Sequence, residues 1–264
     1  MTLYSDRRDS INILTEIDSR KSDYLIIHYA CESFYVENGK SSRIICIAIR
    51  QLDDGQTTMF SINQMAELHH ISYKDIEDKY DELEKLMLDK FFFFLSENKH
   101  KKWLHWSMRD NNYGFKAIEH RYSVLGGQPN CIPDSHKIDL SWLLVKIYGK
   151  NYAPKSKMQN LMLLNNIQQR DFLSGEDEAN AIEKSEYIKV NMSTASKVEL
   201  FSHYFSLAID SNLKTENKLT VYGNTIKGKF LVLRQNLFFK LFLQLIIGLF
   251  WICFGLWLEK YISF

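Results

Sequence analysis

The chain is poor in the residues that break or staple a backbone. Three prolines and eleven glycines in 264 residues exclude a collagen-like or low-complexity protein. The four cysteines, Cys31, Cys46, Cys131 and Cys253, are scattered and form no CxxC pair. That argues against a thiolate zinc site and against a disulfide framework, and it fits a reducing cytoplasm. An excess of charge of one sign is also lacking: 33 basic and 32 acidic residues leave a net charge of +1. A chain-wide basic coat is thereby excluded, and any nucleic-acid contact must come from a local patch. The opening MTLYSDRRDSINILTEID has no apolar run, so no signal peptide is predicted. His69-His70 has no HExxH context, and Gly126-Gly127 lacks the Lys and Ser/Thr of a phosphate-binding loop. No serine and histidine motif suggests a nucleophilic triad.

Hydrophobic residues, by contrast, make up 45% of the chain and aromatic ones 14%, enough for a packed core. The longest apolar run is terminal. Leu241 to Leu258 reads LFLQLIIGLFWICFGLWL, eighteen residues without a charge. As a helix it would span about 27 Å, close to the hydrocarbon thickness of a bilayer. Leu237, Phe238 and Phe239 extend it if Lys240 snorkels, and Trp251 and Trp257 sit toward its far end, where indoles suit an interface. The alternative is a buried core helix. Lys227, Lys229, Arg234 and Lys240 precede the span, whereas only Lys260 follows it. The positive-inside rule therefore predicts a single-pass protein of the inner (plasma) membrane with its N-terminal domain in the cytoplasm. The same basic stretch suits anionic lipid headgroups.

Strand signals come first in the soluble part. Tyr24 to Ala30 (YLIIHYA), Arg43 to Arg50 (RIICIAIR) and Thr57 to Ile62 are apolar and β-branched. Turn signals at Glu37–Lys40 and Asp53-Asp54-Gly55 separate them, which predicts a three-stranded antiparallel meander. Tyr73 to Leu95 carries helical periodicity. Lys101 to Trp106 (KKWLHW) reads as a fourth strand. Helices are then expected over Tyr113–Val124, Ile138–Tyr148, Lys157–Leu164, Glu176–Glu186 and Ser193–Asp210, followed by a linker from Lys214 to Lys229. The order predicts an α/β or α+β fold with a mixed sheet.

Several motifs fall on this order at telling places. His105-Trp-Ser-Met-Arg-Asp110 ends the fourth strand. Lys137-Ile138-Asp139-Leu140 opens a helix, Lys157-Met158-Gln159-Asn160-Leu161 precedes Asn166-Ile167, and Asp177-Glu178-Ala179 lies in a late helix. Together they resemble the landmarks of the DEDD 3′–5′ exonucleases, which have a ribonuclease H-like fold; the likeness covers roughly residues 23 to 210. The family's first strand carries Asp-x-Glu. Here that strand ends His28-Tyr29-Ala30-Cys31-Glu32, so one carboxylate of the motif is missing whether Glu32 fills the Glu position or His28 the Asp position. The His or Tyr before the last acid is missing too, since Phe172, Leu173 and Ser174 occupy that neighbourhood.

The resemblance implies a magnesium or manganese site held by Glu32, Asp110 and Glu178, with Asp177 the alternative to Glu178 and His28 or His105 assisting proton transfer. Each has a plainer reading: Asp110 and Asp139 as helix caps, Asp177 and Glu178 as acids favouring a helix N-terminus, His28 and His105 as buried strand histidines. Lys101, Lys102, Trp106 and Arg109 form a basic-aromatic patch suited to a single strand, or an ordinary solvated loop. The domain plan is an N-terminal extension (1–22), a ribonuclease H-like domain (23–212), a basic linker (213–236), a transmembrane helix (237–258) and a tail (259–264). The expected function is that of a membrane-anchored, diverged nuclease-like protein acting on nucleic acid, by analogy a bacterial anti-phage defence component. The alternative is an inactive binding module that acts through its membrane helix, as a homo-oligomer or with a protein partner. Gly248 and Gly255 offer a small-residue stripe for such packing.

Overall fold

A computed structural model describes residues 3–32, 41–110, 113–216, 226, 230, 233, 234 and 236–262. The expected turn at Glu37–Lys40, most of the linker, and Lys227 and Lys229 lie outside the described residues. Five strands form one mixed sheet: β1 (Tyr24–Cys31), β2 (Ile44–Gln51), β3 (Thr57–Ser61), β4 (Lys102–His105) and β5 (Lys137–Asp139). Their order across the sheet is β3-β2-β1-β4-β5. β2 pairs antiparallel with both β1 and β3, while β1–β4 and β4–β5 are parallel.

β1 occupies the middle, and every one of its eight residues is buried. A strand covered on both faces reads as a continuous apolar run rather than an alternation, and YLIIHYA is such a run. Leu25, Ile27 and Tyr29 belong to a core shared with α3 (Tyr80–Glu97) and α4 (Phe115–Val124). Tyr24 and Ile26 join the core on the other face, with α5 (Leu140–Tyr148) and α8 (Tyr187–Ile209). The remaining helices are α1 (Leu3–Ser19), α2 (Ile62–Leu68), α6 (Lys157–Leu164) and α7 (Gly175–Glu183).

The expected strands and most helices stand where the sequence places them, with one addition and three corrections. The expected N-terminal extension (1–22) contains α1, which packs on α5 and α8 with Leu14 and Ile17 buried in the same core as the sheet. The predicted helix over Tyr73–Leu95 begins as two 3-10 turns, Tyr73–Asp75 and Glu77–Lys79, and becomes α-helical only at Tyr80. Ile138 starts no helix. Lys137–Asp139 is the edge strand β5, and the Asp139 carboxylate accepts from the Trp142 N–H at 3.2 Å to cap α5. α8 starts six residues earlier than its apolar pattern suggests, at Tyr187.

The last helix, α9 (Leu237–Ile262), contains the one segment of the described residues long and apolar enough to cross a membrane. Leu237–Leu258 has a mean hydropathy of 2.3, and none of its most apolar window is buried by the rest of the protein. Among the described residues nothing buries that window, which speaks against the buried-core alternative, and 22 residues give about 33 Å of helix.

Because Ile17 is fully buried where α1 closes the core under α5 and α8, Ile17→Ala should cost about 2–5 kcal/mol. Urea unfolding of the detergent-solubilised chain measures this; a change below about 0.5 kcal/mol would leave residues 1–22 an extension outside that core.

Candidate functional site

A cavity of about 640 Å³ opens beyond the C-terminal ends of the parallel strands β1 and β4. β1 contributes His28 and Tyr29, and the turn after β4 contributes Trp106 and Ser107. α8 contributes Lys197, α7 and its approach contribute Leu173 to Glu176 and Glu178, and Tyr113 and Phe172 add aromatic wall. Its volume and part-apolar lining suit a small ligand or one unit of a polymer.

The wall is set by packing. Trp106 stacks on Phe201 with centroids 5.3 Å apart, and the His28 ring meets Phe201 edge-on at 5.5 Å. Ser107 holds a left-handed backbone (φ +56°). Its N–H donates to Asp139 Oδ1 at 3.2 Å, and its hydroxyl lies 2.8 Å from that of Ser141, which itself donates to Asp139. Arg109 reaches Asp139 Oδ2 at 2.6 Å. The carboxylate that caps α5 therefore also fixes the turn presenting Trp106. Tyr113 stacks on Tyr29 at 4.7 Å, and its hydroxyl lies 3.2 Å from His28 Nδ1. Gly114 beside it donates its N–H to the Tyr29 hydroxyl at 2.9 Å; its φ is +151°, and a Cβ there would lie 2.5 Å from the Met108 carbonyl oxygen.

Of the charged residues in the lining, Lys157, Glu176, Glu178 and Lys197, the last is the most deeply buried. The Lys197 side chain is 7% exposed and forms an ion pair with Glu178, which is 13% exposed. Burial pulls the Lys197 ammonium down to about 8, so it stays mostly protonated at neutral pH with the Glu178 carboxylate as its counter-ion. His28 is held well below the usual imidazole range, first by burial and then by the charge of Lys197. It is neutral, and its Nε2 has no hydrogen-bond partner among the described residues.

Comparison with models of known protein families, and with curated proteins, returns no match. The geometry must speak for itself.

The expected site residues are only partly brought together. His28, Trp106 and Glu178 line the cavity. Glu32 does not: the β1–β2 register shifts at Ala30/Cys31, and beyond that irregularity Glu32 pairs with Arg43 at 3.5 Å in a separate hollow with Glu77, Tyr80 and Tyr187. Burial raises its pKa, with Arg43 opposing. Asp110 is exposed on the loop after β4. Asp177 is exposed and closes the N-terminus of α7, accepting from the Ser174 hydroxyl at 2.6 Å while its own N–H donates back at 3.2 Å. His105 is buried, and its Nδ1 accepts from the Met108 N–H at 3.1 Å, a turn-forming role.

The proposed metal set thus does not fit. Among the described residues no three His, Cys, Asp or Glu side chains gather to hold an ion. Glu178, the one expected ligand in the cavity, is bound to an ammonium. A lysine cation at that point opposes a divalent cation by simple Coulomb repulsion. The basic-aromatic patch is also split. Lys102 sits at the start of β4, paired with Glu16 at 3.0 Å and lying over the Tyr24 ring, whereas Trp106 follows the strand's other end. Lys101 precedes that start. Arg109 lies over Trp142 and pairs with Asp139.

Lys197 escaped the sequence reading, although its signal is present. Val190, Thr194, Lys197, Phe201, Tyr204 and Ala208 are all buried and follow one another at alternating four- and three-residue steps. A lysine inside such an apolar stripe needs a partner.

The two buried neutral histidines set an acid limit. His105 is lowered to about 4, chiefly by burial, with Asp139 opposing. Below about pH 6.5 the unfolded chain takes up protons at positions 28 and 105 that the folded chain refuses, so stability falls with falling pH, by roughly 1.4 kcal/mol per unit for each histidine. Urea unfolding between pH 8 and 5 should show this loss, and His105→Gln should flatten the slope by about one proton. An unchanged slope in both His28→Gln and His105→Gln would overturn the assignment.

Proposed function

We propose that this chain is a membrane-anchored, ribonuclease H-like domain that binds nucleic acid at the cavity beyond β1 and β4 without cutting it by the two-metal route. The order of three antiparallel strands, the helices α2 and α3, and a fourth strand parallel to the first supports the kinship with DEDD exonucleases. The observation that carries the inactive reading is the Lys197–Glu178 ion pair, set beside a neutral His28 on the strand where the family keeps metal-binding carboxylates. Two-metal cleavage needs acids that bridge ions about 3.5–4 Å apart, and this cavity offers an ammonium in their midst.

The aromatic wall supports a nucleic-acid ligand, because every base has a face on which a ring can stack. Arg234 and Lys240 on the near side of α9 support a cytoplasmic domain. Output then runs through the membrane helix, as suits a defence component that senses foreign nucleic acid at the inner membrane.

The reading is tested with the full chain in detergent and end-labelled single-stranded DNA and RNA. Retention without shortening, in magnesium, in manganese and in EDTA, is the expected result. Metal-dependent degradation that Asp110→Ala abolishes would restore the nuclease, and failure to retain either strand would remove nucleic acid from the proposal. Independently, the chain should resist alkaline carbonate extraction from membranes, and removal of residues 237–264 should release it; extraction of the intact chain would refute the anchor.

A further inference from the structure

The buried ammonium has a chemistry of its own, beyond its exclusion of metal. Lys197 sits in the cavity wall with Glu178 as its counter-ion, its Nζ 5.7 Å from the centre of the Phe172 ring. His28 lines the same space with its Nε2 free of partners among the described residues. Ser174 and Gly175, where α7 begins, line it too, and the rings of Trp106, Tyr113 and Phe172 supply flat apolar surface. The cavity thus joins the buried Lys197 ammonium, one imidazole nitrogen and several ring faces in about 640 Å³, with Lys157, whose Nζ donates to the Lys150 carbonyl at 2.7 Å, as a second lysine in its lining; this is room enough for a mononucleotide.

We propose that the cavity binds a nucleotide with its phosphate on Lys197 and without a divalent metal ion, and that Glu178 is an internal anion which the phosphate displaces. The proposal rests on the function given above for the nature of the ligand. The required exchange is chemically simple. A buried charge left alone is costly, so Lys197 needs an anion at all times; Glu178 fills that need in the empty cavity, and a phosphate oxygen is the better acceptor because it is a stronger, multiply charged partner for an ammonium. The apolar rings then take the base. The nucleotide is either free or the terminal unit of a strand, and the two sources share this chemistry.

The test is calorimetric titration of the full chain in detergent, in phosphate-free buffer with EDTA. Adenosine monophosphate, adenosine, and single-stranded oligothymidylate with and without a terminal phosphate are the titrants. Adenosine monophosphate should bind and adenosine should not. Glu178→Gln, which removes the competing anion, should tighten adenosine monophosphate at least tenfold. The double substitution Glu178→Gln with Lys197→Met removes both charges, avoids an unpaired buried ion, and should fold and bind nothing. Tighter binding of the terminally phosphorylated oligonucleotide than of adenosine monophosphate identifies the strand end as the source, and the reverse identifies the free nucleotide; either supports the proposal. Equal binding of adenosine monophosphate by the chain and the double variant overturns it, as does weaker binding by Glu178→Gln. Strand binding that needs magnesium and ignores both variants overturns the metal-free site while leaving nucleic-acid binding intact. Binding of adenosine monophosphate but of no strand keeps the site and removes the nucleic-acid reading.

Discussion

The burial of β1 on both faces is the constraint from which the rest of the domain follows. A strand with no solvent face must be covered by helices on each side, and α3 and α4 take one side while α5 and α8 take the other. It must also be paired along both edges, which β2 does antiparallel and β4 does parallel. β1 thus has an antiparallel neighbour on one edge and a parallel one on the other, and the cavity lies beyond the C-terminal ends of the parallel pair β1 and β4. Open α/β sheets bind ligands at such points because loops leave neighbouring strands there in different directions.

Charge decides what the cavity can hold. A metal-binding site gathers carboxylates and leaves them short of positive charge until an ion arrives. This cavity does the reverse: it carries its own cation, tethered to α8, and satisfies that cation with a single carboxylate from α7. The neighbouring imidazole agrees with the same field, because the charge of Lys197 adds to burial in keeping His28 neutral. A neutral histidine, an ammonium and one acid form a consistent set for receiving an anion. They would form an inconsistent set for holding two divalent ions.

The sequence made the scaffold legible and the site only in part. Apolar runs and the Asp53-Asp54-Gly55 turn mark β1 to β3, and eighteen uncharged residues mark the helix long and apolar enough to cross a membrane, because each is a local pattern with a local cause. Three-residue β5 carried no such pattern: its formation depends on β4 lying alongside it, and Asp139 marked only the helix that follows. The candidate acids followed the spacing of a family, but spacing says nothing of where a side chain turns. Glu32 was lost to Arg43 by one irregularity in the β1–β2 register, and Asp177 to the capping of its own helix. Lys197 was readable as a charge in the buried stripe of α8, yet its partner, nineteen residues earlier, was not. That pairing exists only once α7 folds back against α8.

The two helices joined by the ion pair are held very unequally, and this gives the pair its physical weight. α8 carries twelve buried residues, among them Phe201, Tyr204 and Phe205, and packs across β1 and β2. α7 buries only Ala181 along its nine residues. Lys197 is thus fixed by the core, whereas Glu178 belongs to a helix with little apolar area to anchor it. Local stability follows buried contacts, so any rearrangement that the exchange of one anion for another permits falls on α7 and leaves the sheet unmoved. Ser174, Gly175 and Glu176, at the start of the same helix, are themselves part of the cavity wall. Of the two helices, the less firmly held is therefore the one that both supplies the internal anion and borders the space a ligand would enter.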